Sequence, residues 1–88
     1  MTWRINVHRD AAKQLERIPP DRRERIMADI RELSVDPFRG LVKPLKGKVF
    51  KGLYRKVSGR YRIIFEPLFG SHTVNVLSVL LRNEDTYR

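Results

Sequence analysis

The chain has 88 residues, 41% of them hydrophobic, and a formal net charge of +9 with a pI near 10.7. A chain this short builds one small domain around one core, and it buries roughly 60–65 per cent of the surface its unfolded form would expose. It contains no cysteine, which excludes disulfide frameworks, thiolate nucleophiles and cysteine-ligated zinc or iron–sulfur centres.

Trp3, Ile5 and Val7 alternate with Thr2, Arg4 and Asn6, so the chain opens on a strand with one buried face. The same segment, MTWRINVHRDAAKQL, lacks the roughly 7–15 apolar residues of a signal-peptide core, and no stretch approaches the roughly 20 needed to cross a bilayer. A soluble cytoplasmic protein is expected. Ala11, Ala12, Leu15 and Ile18 then form a helical stripe that Pro19-Pro20 interrupts. A second helix starts at Pro20, which suits a first helical position, and carries Ile26, Met27, Ile30 and Leu33 to Asp36-Pro37. Arg22, Arg23, Glu24, Asp29, Arg31 and Glu32 are assigned to the wet face of this helical pair.

DPFRGLVKPLKGKVFKG follows, a stretch rich in Pro, Gly and Lys with no sustained period, read as a functional loop. Strands are expected at 53–57, 60–66 and 73–81, joined by Ser58-Gly59 and by Pro67 to His72 as an antiparallel meander. The expected architecture is α+β, in the order β-α-α-β-β-β, with two N-terminal helices packed on one face of a small antiparallel sheet. Arg60 and Arg62 alternate with Tyr61, Ile63 and Phe65, which places the arginines on the face the helices leave open.

The charge is unevenly distributed. Residues 1–37 carry eight Lys/Arg against seven Asp/Glu, whereas residues 38–88 carry eleven against three. From Arg39 to Arg62 there are nine cations and no acid, the footprint of a surface built for a polyanion or an acidic partner.

This order of elements, the helical pair ending in "L…DP", and the segments "KPLKG", "GLYR", "YRIIF" and "LRNEDTYR" resemble the RelE/ParE superfamily of toxins from toxin–antitoxin pairs. The likeness spans almost the whole chain, as one RelE-like toxin domain over residues 1–88. It implies a toxin neutralised by an acidic antitoxin protein that wraps it. A RelE-like member would be a ribosome-dependent endoribonuclease that cleaves mRNA; a ParE-like member would inhibit DNA gyrase; a catalytically degenerate basic RNA-binding homologue is the third reading. Carried over residue by residue, the RelE-like pattern marks Arg55, Lys56, Arg62, Arg82 and Tyr87 as catalytic. Lys43, Lys46, Lys48, Lys51 and Arg60 are read as RNA- or ribosome-binding.

Strict alternation from Arg55 would turn Lys56 toward the helices, so a β-bulge near residue 55 is expected to keep both cations exposed. Guanidiniums at 55, 62 and 82 suit the non-bridging oxygens of a phosphodiester, and Tyr87 or Lys56 suits proton transfer. Neither metal nor cofactor is required by this chemistry. Asp10, Asp21 and Asp36 lie near helix ends and read as capping or dipole partners, His8 and His72 as a helix-start and a turn residue, and Trp3, Tyr54, Tyr61 and Phe65 as core.

Overall fold

The computed structural model describes residues 2–81. Its elements run β1 (Arg4–Val7), α1 (Arg9–Glu16), α2 (Pro20–Val35), β2 (Val42–Pro44), a short 3₁₀ turn (Lys48–Phe50), β3 (Tyr54–Ser58), β4 (Tyr61–Leu68) and β5 (Thr73–Leu81). Local chemistry sets the helix ends. His8 caps α1, its Nδ1 accepting the Asp10 amide at 3.2 Å. After Pro19 and Pro20 break the helical ladder, Arg23 reaches back and donates to the carbonyls of Glu16 and Ile18 at 3.2 and 2.9 Å. Arg23 therefore closes the C-terminus of α1, where free carbonyls favour a cation, instead of sitting on the wet face. Asp36 ends α2, its Oδ1 accepting the Phe38 amide at 2.9 Å.

The strands form one sheet in the order β1-β5-β4-β3-β2. Three features depart from the expected meander. β1 pairs with β5 in parallel, making the sheet mixed. β2 is an additional edge strand inside the expected loop; with three residues, one of them proline, it is too short to display a period. β4 continues through Pro67, which was expected in a turn. Opposite β4, strand β3 begins at Tyr54, paired with Phe65, so no neighbour on that side needs the missing proline amide.

Both helices lie on one face of the sheet. Leu15, Ile18, Ile26, Ile30 and Leu33 pack there against Tyr61, Ile63, Phe65, Val74, Val76 and Val79. A register shift between β4 and β5 makes this possible. Ile64 pairs with Ser78 and Phe65 with Val76, leaving Leu77 as the extra residue. That bulge reverses the phase of β5, so that Val74 and Val76 before it and Val79 after it all point inward. Gln14 of α1 accepts the amide of Val79 at 2.6 Å beside the irregularity.

β3 has no bulge. Its residues pair with β4 one for one, from Tyr54 opposite Phe65 to Ser58 opposite Tyr61. Lys56 consequently points to the helices, is 3% exposed, and is withdrawn from the expected open-face cluster. The reason it tolerates burial is Glu32 of α2, whose carboxylate lies 2.5 Å from the Lys56 amine. A buried lysine is costly when unpaired; here the helix supplies the counter-charge.

The hydrogen bond and charge of Lys56 hold the Glu32 carboxyl below its ordinary value of 4.5. A lowered folded value means that the pair stabilises fully above the unfolded value and loses its contribution as pH falls through the folded one. Urea midpoints of the wild type and a Glu32→Gln/Lys56→Met variant are expected to keep a constant separation from neutral pH to about 4.5, with the wild type losing ground below it. A separation unchanged down to pH 3 would disprove the linkage.

Candidate functional site

Alternation along β3 leaves Arg55 on the face away from the helices. Its direct cross-strand partners are Lys43 on β2 and Ile64 on β4. Arg62 lies two positions before Ile64 and shares that face, with Val57 and Leu80 beside it. Three adjacent strands thus each contribute a cation. The segment after β2 folds over them and forms a cleft of about 490 Å³, lined by Lys43, Pro44, Leu45, Lys46, Phe50, Arg55 and Arg62. Four of those seven residues are cationic and none is acidic, so the cleft suits an anion with several oxygens. A neighbouring hollow of about 290 Å³, lined by Gly40, Leu41, Val42, Lys43, Arg55 and Val57, places Lys43 and Arg55 on the ridge between two concavities.

Of the ten residues singled out in the sequence, Lys43, Lys46, Arg55 and Arg62 converge on this cleft. Lys48 and Lys51 are exposed at the 3₁₀ turn and do not line it. Lys56 lies on the opposite side of the sheet with Glu32. Arg60 sits in the β3–β4 turn, not on a strand face with Arg62, and lines a separate pocket with two arginines of α2. Arg82 and Tyr87 lie outside the described residues. The apolar walls Pro44, Leu45 and Phe50 were hidden in the sequence, because an irregular segment has no period from which to infer its exposed side.

The other polar residues behave locally. His72 stacks on Trp3, with ring centroids 4.0 Å apart, and His8 is engaged at the start of α1. Among the described residues, no three His, Asp or Glu side chains gather in a way that could hold a metal ion. No helix among them is long and apolar enough to cross a membrane.

The sequence matches no protein-family model and no curated protein. Solved structures are similar over nearly its whole length. A chain of the archaeal RelE–RelB complex from Pyrococcus horikoshii OT3 is 25% identical, with 96% of this chain and 99% of that chain covered and a TM-score of 0.79. For the RelB–RelE antitoxin–toxin complex from Methanococcus jannaschii the identity is 26%, the coverage 88% and 89%, and the TM-score 0.68. The RelBE2 toxin–antitoxin complex from Mycobacterium tuberculosis shares 24% identity, with 93% of each chain covered and a TM-score of 0.83. With helices, sheet and chain order all matched, the resemblance read in the sequence holds in three dimensions: this chain has the fold of the RelE/ParE toxin superfamily.

Proposed function

We propose that the protein is the toxin of a type II toxin–antitoxin pair and acts in the cytoplasm as a ribosome-dependent endoribonuclease on mRNA. The observation that carries this reading is the gathering of Lys43, Lys46, Arg55 and Arg62 around one cleft with no acid among the described residues of its lining. An acidic antitoxin is the complementary partner for a chain of net charge +9, and relatives of the same fold have been solved as complexes with RelB.

In the proposed reaction the 2′-oxygen attacks the adjacent phosphorus, and the bond from phosphorus to the 5′-oxygen breaks. The products are a 2′,3′-cyclic phosphate and a 5′-hydroxyl. One proton must leave the 2′-hydroxyl and one must reach the departing 5′-oxygen. Charge accumulates on the non-bridging oxygens between those events, and the guanidiniums of Arg55 and Arg62 can meet it with paired donors. Lys43 and Lys46 add point charges at the rim. Arg82 is assigned to the same phosphate and Tyr87 to proton transfer. Lys56 has no part in this scheme, since its amine is committed to Glu32 on the far side of the sheet. A cleft with so few polar groups depends on the ribosome to hold the mRNA in line for attack.

The test is an in vitro translation reaction followed by mapping of mRNA ends. Arg55→Ala and Arg62→Ala are each expected to lower cleavage by about 10²–10³-fold, the usual loss for one donor to a developing oxyanion. Their thermal unfolding should stay close to wild type, because both residues lie on the face away from the helical core. Lys56→Met is expected to cleave at the wild-type rate wherever it is folded. Wild-type cleavage by both arginine variants would refute the site, and inhibition of gyrase supercoiling without any mRNA cleavage would refute the nuclease.

A further inference from the structure

A second group of arginines lies on the other side of the β3–β4 hairpin. Arg22 and Arg25 are three residues apart on α2 and so project from the same flank of the helix. With Ser58, Gly59, Arg60 and Tyr61 they line a pocket of about 190 Å³ between the helix and the hairpin tip. The hairpin is tied down at this point. Ser58 donates from its hydroxyl to the carboxylate of Asp29 on α2, and the body of Tyr61 is buried against the core. Asp29, four residues after Arg25, has its carboxylate engaged by Ser58, and neither of the exposed acids Asp21 and Glu24 of the same helix lines the pocket.

All three guanidiniums are exposed, and among the described residues none of them makes an ion pair. Arg23, between the first two in sequence, is diverted to the carbonyls of Glu16 and Ile18 and does not line the pocket. Three like charges held together at a cavity repel one another unless an anion joins them. That all three are arginine matters. A planar fork of donors matches phosphate oxygens two at a time, whereas a solubilising surface is served as well by lysine.

The geometry points to a second RNA-backbone site: Arg22, Arg25 and Arg60 grip a phosphodiester of RNA, independently of base identity, on the opposite side of the hairpin from the cleft. Arg60 is two residues from Arg62, so the hairpin tip carries cations to both concavities. This inference rests on the RNA-binding part of the function proposed above and extends it to a surface that takes no part in bond cleavage.

The test is fluorescence anisotropy with a 2′-O-methyl RNA 15-mer, which cannot react through its 2′-oxygen, and with an RNA stem-loop, each between 50 and 200 mM salt. The comparison is between wild type, an Arg22→Gln/Arg25→Gln/Arg60→Gln variant and a Lys43→Gln/Arg55→Gln variant of the cleft. For the single strand, the triple variant is expected to flatten the dependence of log K on log salt by roughly 0.7 for each phosphate contact removed, with binding weakened at least tenfold at 100 mM. Loss confined to the stem-loop also supports the site and identifies a folded RNA as its ligand. If the triple variant binds both RNAs like wild type while the cleft variant is impaired, the second site is refuted and the proposed function is untouched. If the wild-type protein binds neither RNA, the second site is refuted, while the nuclease reading is decided by the translation reaction, in which the ribosome holds the mRNA.

Discussion

The amine of Lys56 meets the carboxylate of Glu32 inside the molecule, and that contact decides which way β3 presents its side chains. Neighbouring residues on a strand point to opposite faces, so committing Lys56 to the helices commits Arg55 to the open side. Lys43 and Arg62 follow through the register of the strands on either side. The reach of the pair also shapes the loop after α2. Gly40 adopts φ 85°, and a Cβ built there would lie 3.7 Å from the Glu32 carboxylate and 3.8 Å from the Lys56 stem. The chain therefore passes close over the ion pair in a conformation that suits glycine, and enters β2 from there.

Charge separation in this small domain is a consequence of its layering. Two helices cover one face of five strands, and what faces them must be apolar or locally neutralised. Val74, Val76 and Val79 meet the first condition because of the bulge at Leu77. Lys56, Ser58 and Arg23 meet the second through Glu32, Asp29 and the carbonyls of Glu16 and Ile18. The acids of the first 37 residues are thereby partly spent on the inner layer, while Lys43 and Arg55 are carried on the open face.

Much of this was legible in the residues. The period-two runs at Trp3–Val7 and Tyr61–Phe65 and the stripe from Ile26 to Leu33 are local signals, and they mark elements that the fold contains. What the residues concealed depends on contacts distant in sequence. The parallel seating of β1 beside β5 joins Ile5 to Val74, and no local pattern reports the direction of such a pairing. Lys56 was misplaced because its partner lies 24 residues away on a helix whose surface reads as wet. The bulge was expected on β3 to rescue a lysine that needed no rescue. It lies on β5, where the spacing of Val76 and Val79 held the signal. In the cleft, Arg55 and Arg62 lie on strands whose alternation is legible, whereas Lys43, Pro44, Leu45 and Phe50 come from a stretch too short or irregular to show one.

The cleft carries a feature that stability alone does not explain. Lys43 and Arg55 are direct cross-strand partners, and like charges in that position oppose the pairing that holds β2 to the sheet. β2 has only three residues and one neighbouring strand with which to offset the repulsion. Replacing either cation with an uncharged β-former would favour the strand, so the sheet tolerates a local conflict where it forms the ridge between two concavities. An anion between the two side chains would remove the repulsion and add contacts to both strands at once. Binding there would reinforce an edge strand of only three residues, so that affinity for the anion and attachment of β2 would be two measures of one coupling.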